Sequence, residues 1–345
     1  MEAKFVLSRK KLHEQYNFFR SLNLRVSYSV KTNPLVAKIL FKESDCDFSI
    51  HTLNDFRYVP DGKRVWYFSQ AWDRNDLKKI FARGIRKFVV DNEVDLKELL
   101  NFLDKNNFGI NLALRMKFRE NRIQTGKYFV YGMSSVKVCE AIRNIKGNKN
   151  IARLGIHIHR KSQNASEWEI RNELQDALPE DVLEMIDFVN LGGGYPVKYR
   201  NYVSPVLGYI KENLIEARDW LAAKGIEVIA EPGRFIAAPC INLVAEIIQI
   251  YDGNIVLNCS LYNSQLDTLL TDIRLLVEGE IDESEKKGRE YTIKGNTPAR
   301  DDIFRYKVRL NEKKVGDKIV FLNAGAYNYS TDFCGLKRLK TEIVD

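Results

Sequence analysis

Between residue 24 and about residue 231 the chain alternates short runs of β-branched and aromatic residues with longer stretches whose apolar positions recur three or four apart. Eight short runs stand out, at residues 24–30, 47–50, 65–68, 87–90, 111–116, 152–157, 188–191 and 227–230. Amphipathic stretches such as 75–83, 93–102 and 136–145 lie between them. A strand, a helix of period 3.6 and a further strand make a βα unit, and about eight such units predict a closed (β/α)8 TIM-like barrel. An open doubly wound sheet shares the alternation and stays as the alternative.

After about residue 245 the helical period gives way to runs at 243–251, 254–259, 291–294 and 318–322, with Asp252-Gly253 and Val315-Gly316-Asp317 as turn signals. This pattern predicts a C-terminal mostly β domain. The expected division is a barrel over residues 12–245 and a β domain built from 1–11 and 246–345. Residues 278–289, rich in Glu, Lys, Asp and Gly, read as an exposed hairpin or loop.

Composition narrows the class. The chain has 345 residues, 45% of them hydrophobic, enough for one large core and a second, smaller one. No apolar run reaches the roughly 20 residues of a membrane span, and Met1-Glu2-Ala3-Lys4 lacks a secretory layout, so the expected location is cytoplasmic. Cys46, Cys139, Cys240, Cys259 and Cys334 are odd in number and lack metal-type spacing, which argues against a disulfide framework and a zinc site. The net charge of +8 comes from dispersed lysines and arginines, so no specific nucleic-acid surface is expected. A solvated basic surface accounts for it, as does attraction for a phosphate-bearing ligand.

Four stretches carry candidate chemistry, each placed where a strand ends. Lys31 follows the run Val26-Ser27-Tyr28-Ser29-Val30 and precedes Thr32-Asn33-Pro34, a rigid turn. Such a lysine is either a solvated strand terminus or an amine poised to form a Schiff base. His157 and His159, two apart, share one strand face, as a polar pair, a metal pair or an imidazole stacked on a ring. Gly192-Gly193-Gly194 could make a tight turn or bring backbone N–H groups against a phosphate. In Glu231-Pro232-Gly233-Arg234 the acid and base could form a salt bridge, or the carboxylate could pair with a protonated pyridine nitrogen. Together the four suggest pyridoxal 5'-phosphate, bound at the C-terminal ends of barrel strands.

In these residues the sequence resembles the fold-type III, alanine-racemase-like pyridoxal-phosphate decarboxylases acting on ornithine, arginine, diaminopimelate and carboxynorspermidine. Tyr28–Asn33 is similar to the family's Tyr-Ala-Val-Lys-Ala-Asn, which implies that Lys31 is the Schiff-base lysine. Asp47 matches the second-strand aspartate near the cofactor. The segment from His157 to Gln163 is similar to His-x-His-x-Gly-Ser-Gln, implying that His159 stacks on the pyridine ring and Ser162 helps to bind phosphate. By the same resemblance Gly192, Gly193 and Gly194 form the phosphate loop, Glu231 partners the pyridine nitrogen, and Arg234 and Tyr327 border the phosphate. A homodimer with shared active sites is implied as well, residues 298–302 being the segment that reaches across.

Departures from the family bear on the reaction. Where the family has a proton-donating cysteine, Gly295-Asn296-Thr297-Pro298 offers proline, which donates no proton. Cys334 is a candidate replacement donor, with a buried thiol as the other reading. Lys161 stands in place of a glycine, and Asn263 in place of an aspartate that holds the distal end of the substrate. Asn263, Asp267 and Asp302 are the expected substrate residues. The stretch from Gln265 to Asp267 is closer to the carboxynorspermidine branch, whose reacting group is a 3-amino-3-carboxypropyl arm. The expectation is therefore a decarboxylase acting on an amino acid or on such an arm of a larger metabolite, as in maturation of microcin C-like peptide-nucleotides. A polyamine-pathway decarboxylase, a racemase and a non-catalytic homologue that binds a protein partner, like the antizyme inhibitors, are the alternatives. The early stop after Tyr327 raises the expectation of one domain within a longer bifunctional protein.

Overall fold

The computed structural model describes residues 1–117, 130–202, 206–282, 284, 285 and 287–345. It divides into two compact units, one of residues 17–195 and 205–233, the other of residues 1–16, 196–204 and 234–345. No helix among the described residues is long and apolar enough to cross a membrane.

Strand β1 (Lys4–Ser8) belongs to the second unit, and the barrel begins with β2 (Arg25–Ser29). Strands β3 (Asp47–Ile50), β4 (Val65–Tyr67), β5 (Lys87–Val90), β6 (Ile110–Arg115), β7 (Ile151–His157), β8 (Phe188–Asn190) and β9 (Glu227–Ala230) follow. All eight pair in parallel and in sequence order, and β9 closes on β2 with Arg25 opposite Ile229. The closed barrel expected from the sequence is therefore present. Its strands are nearly all buried, as a parallel sheet covered by helices requires.

Trp66, Val89, Ala113, Phe188 and Ile229 form a buried cluster within the barrel, with Phe68 packed against it. Gly155 makes room for it: a Cβ there would come within 2.7 Å of the Phe188 ring and 2.4 Å of its carbonyl oxygen. At the N-terminal end of the strands lies an ionic floor. The buried Asp47 carboxylate accepts from Arg25 Nε at 2.9 Å and Lys87 Nζ at 2.8 Å, while Glu227 pairs with Arg153 at 2.7 Å.

The second unit holds one sheet made of β1 and seven later strands. These are β10 (Ile241–Tyr251), β11 (Asn254–Leu257), β12 (Leu276–Val277), β13 (Arg289–Lys294), β14 (Ile303–Leu310), β15 (Lys318–Leu322) and β16 (Lys340–Val344). The order is β12-β15-β10-β11-β13-β14, with β1 pairing both β10 and β16. The mostly β second domain is thus observed. Of residues 278–289, 283 and 286 lie outside the described residues; among the others, the stretch from 284 to 289 is exposed.

Candidate functional site

The C-terminal ends of the barrel strands surround a cavity of about 540 Å³. Lys31, His51, Phe68, Arg115, His159 and Glu231 are among its walls. Lys31 lies in a single 3-10 turn, Val30–Thr32, between β2 and helix Pro34–Glu43. Asn33 ends that turn by capping the helix, its side chain accepting from Leu35 N and Val36 N, and Pro34 supplies a first residue that needs no N–H partner. Gly233 packs against the turn so closely that a Cβ would meet Thr32 Oγ1 at 2.2 Å. The lysine is thereby held in the cavity wall.

Lys31 keeps exposed surface in the cavity, yet the walls desolvate its ammonium. Desolvation lowers its pKa, opposed by Glu231 and assisted by Arg115. Glu231 lies just past β9. Burial alone would raise its carboxyl, but His157, Ser49 and Asn190 outweigh that and hold it well below the usual carboxylate range. Ser49 Oγ donates to Oε1 at 2.7 Å, Asn190 Nδ2 donates to Oε1 at 2.9 Å, and His157 Nε2 lies 3.2 Å from Oε2. The result is a fixed, ionised carboxylate facing Lys31 electrostatically.

The glycine run beyond β8 meets the histidine segment. A Cβ at Gly192 would strike the Ile158 carbonyl oxygen at 2.0 Å, and one at Gly194 would lie 3.0 Å from the Arg160 and Lys161 carbonyls. The Gly193 N–H donates to His159 Nδ1 at 3.2 Å. Burial pushes His159 down to about 3, with His157 and Arg115 adding to the effect, so its ring is neutral. Ser162 is exposed in the turn that ends at Gln163 (φ 63°). The donor atoms of His157, His159 and Glu231 lie within 4.8 Å of one another, close enough for a metal ion, although both Glu231 oxygens are engaged in hydrogen bonds.

The other expected residues have the following partners. Asp47 shares the inward face of β3 with Ser49 but sits at the N-terminal end of the strand, where Arg25 and Lys87 take up its carboxylate. It is a floor residue, not a neighbour of the cavity. In the second unit Arg234 makes a two-pronged pair with Asp267, at 2.5 and 3.2 Å, donates to the Tyr199 hydroxyl at 3.2 Å and lies 5.1 Å from the Tyr327 ring centre. Asp267 is thus committed to Arg234. Asn263 accepts from Ser260 N and donates to the Lys337 carbonyl, closing a helical cap. Asp302 accepts from Leu261 N, Thr297 N and Thr297 Oγ1. All three expected substrate residues serve local structure. Cys334 is exposed in a turn at φ 52°.

Four participants escaped the sequence reading: Ser49, His51, Asn190 and Arg115. Arg115 ends β6, donates to Asp91 Oδ1 at 2.6 Å and lies between the rings of Phe68 and Tyr131, at 5.1 and 5.3 Å. Asp91 also accepts from Gln70 Nε2 and Gly132 N. Ser49 and His51 continue the two-residue alternation from Asp47, a signal that was present in the sequence.

Residues 8–238 match the family model described as pyridoxal-dependent decarboxylase, pyridoxal binding domain. A lysine/ornithine decarboxylase of Selenomonas ruminantium is 24% identical over 258 residues, 70% of this chain, which spans only 63% of that protein's length. A carboxynorspermidine/carboxyspermidine decarboxylase of Campylobacter jejuni is 24% identical over 312 residues, 82% of this chain and 75% of that protein. The crystal structure of a Vibrio vulnificus lysine/ornithine decarboxylase complexed with cadaverine superposes with a TM-score of 0.81 at 23% identity, covering 99% of this chain and 94% of the other, and so shares its fold. The barrel's own residues fit the cofactor: an amine of lowered pKa, a carboxylate kept ionised, and glycines at positions where any side chain would collide with backbone. By its sequence match, its barrel and the make-up of this cavity, the chain belongs to the pyridoxal-dependent decarboxylases.

Proposed function

We propose that the chain is a pyridoxal-phosphate-dependent carboxy-lyase, acting on the 3-amino-3-carboxypropyl arm of a larger, phosphate-bearing molecule. The observation that carries the reading is the ionised Glu231 in the same cavity as Lys31. Bound there, the cofactor supplies a conjugated ring that takes up the electron pair left at Cα when carbon dioxide departs. Lys31 would hold its aldehyde carbon, a task suited to an amine whose pKa is lowered by desolvation. Glu231 would accept from the protonated ring nitrogen, kept ionised by Ser49, Asn190 and His157. Gly192, Gly193 and Gly194 would turn backbone N–H groups toward the phosphate, and His159 would cover one face of the ring.

The arm-bearing substrate is supported by the likeness to the Campylobacter protein, named for carboxynorspermidine and carboxyspermidine. Carbon dioxide release by the cofactor-loaded protein tests the reading, using L-ornithine, L-lysine, meso-diaminopimelate, carboxynorspermidine and an aminocarboxypropyl ester of a nucleotide. Preference for the last two supports the arm. Turnover of ornithine or lysine alone would return the chain to a simple diamine pathway. Pro298 favours a second reading, a regulatory homologue that binds a protein partner; cofactor binding with no carbon dioxide from any of the five would select it. A homodimer is part of the proposal, and light scattering of the purified protein checks it.

A further inference from the structure

We propose that Arg115 is a specificity-determining residue that takes an oxyanion, a carboxylate or a phosphate, at the far end of the substrate, an inference that rests on the decarboxylase reading. Arg115 is the last residue of β6 and lines the same cavity as Lys31 and Glu231. Its side chain is 10% exposed, which leaves the group open to a molecule in the cavity. Of the guanidinium's five N–H donors, one on Nη1 goes to Asp91 Oδ1 at 2.6 Å. The donors on Nε and Nη2 have no partner among the described residues, and neither atom is buried. Asp91 is itself fixed, its other oxygen accepting from Gln70 Nε2 at 2.7 Å and Gly132 N at 3.1 Å. The rings of Phe68 and Tyr131 lie 5.1 and 5.3 Å from the guanidinium carbon. A guanidinium held by a carboxylate and two rings keeps one orientation. Its unused donors form the planar fork that matches a carboxylate or phosphate with two parallel hydrogen bonds.

The charge of the cavity points the same way. Glu231 is the one carboxylate among the described residues that line it, and Ser49, Asn190 and His157 already engage its oxygens. A distal ammonium, such as that of ornithine or lysine, finds no free carboxylate in this wall. Desolvating that ammonium beside Arg115 and Lys31 without a counter-ion is costly. A distal oxyanion meets the Arg115 fork instead. The carboxylate on Cα is a poorer match for the fork, because a grip on that group stabilises the ground state and is lost as carbon dioxide forms. Lys31 does not compete for the distal group, since its amine would hold the cofactor.

The test measures, by calorimetry, the binding of matched amino acids to the pyridoxal-phosphate-loaded protein. L-2-aminoadipate ends in a carboxylate, L-2-amino-5-phosphonopentanoate in a phosphonate, L-norleucine in a methyl group and L-ornithine in an ammonium. Wild type should bind the two anionic compounds about 10–100-fold more tightly than norleucine, and ornithine no more tightly than norleucine. The tighter of the two anionic compounds names the end group. Arg115→Gln should abolish the preference. Arg115→Lys keeps a cation for Asp91, which guards against a glutamine variant that does not fold, and should reduce the preference about tenfold, with the affinity for norleucine within about twofold of wild type. A preference equal in wild type and variants would overturn the role of Arg115, as would a wild type that shows no preference for the anionic compounds or binds none of the four. An equal loss for all four compounds in the variants would place Arg115 on the Cα carboxylate or on the cofactor and overturn it too. Carbon dioxide is measured separately: a preference that depends on Arg115, with no release from these or the five compounds above, would overturn the decarboxylase reading and leave the anion site standing.

Discussion

Asp47 separates a structural from a cofactor role in one experiment. Asp47→Asn keeps the shape and one acceptor but removes the negative charge between Arg25 and Lys87. The Asp47 side chain is 2% exposed and that of Lys87 13%, so their pair is buried, whereas Arg25, at 43%, is screened by water. Breaking a buried pair costs about 3–5 kcal/mol. The asparagine oxygen can still accept from Lys87, and the Arg25 share is small, which places the loss at about 2–3 kcal/mol. For a unit of this size each kcal/mol moves Tm by roughly 2–4 °C. Thermal unfolding should therefore shift down by roughly 4–12 °C, while the affinity for pyridoxal phosphate, titrated by absorbance, stays within twofold. An unchanged Tm with a tenfold weaker affinity would refute the floor assignment and return Asp47 to the cofactor.

Three further outcomes follow from the same structure. Gly155→Ala places a Cβ 2.7 Å from the Phe188 ring and 2.4 Å from its carbonyl, so overpacking should cost about 1–3 kcal/mol in a denaturant titration, a loss that an open site would not show. Asp302→Asn disturbs acceptors for Leu261 N, Thr297 N and Thr297 Oγ1, and should lower stability with KM unchanged for any substrate turned over; a raised KM at unchanged Tm would contradict it. His51 and His159 are pushed from 6.5 to about 3, so between those values the unfolded chain binds protons that the folded chain does not. Stability should therefore fall as pH drops from about 6.5 toward 3, each ring contributing up to about 1.4 kcal/mol per pH unit, and His51→Gln should flatten the slope in urea titrations.

The barrel was legible because its strands are buried on both faces, giving dense apolar runs such as Val65-Trp66-Tyr67 and Lys87-Phe88-Val89-Val90. Strand β14 escaped notice because Arg305, Lys307 and Arg309 interrupt it, and the structure shows Arg305 buried on Glu280 rather than solvated. Lys31, His159, the glycines and Glu231 could be found because strand ends in a barrel converge. Asn263, Asp267 and Asp302 were legible only as residue types that suit a ligand, and the coordinates add that Lys337, Arg234 and Leu261 engage them. For Asp47 the alternation gives the face of the side chain, not its height in the barrel, and the coordinates supply its partners Arg25 and Lys87. Ser49 and His51 lay on that same face, two and four residues further on.

The central claim is that Lys31 and Glu231 form one cofactor site. The most direct measurement is the visible spectrum of purified protein during titration with pyridoxal phosphate, set beside that of Lys31→Ala. A saturable band in the wild type that borohydride fixes covalently, and that is absent from Lys31→Ala, is the predicted result. Equal spectra for the two proteins, with no covalent trapping, would contradict the account.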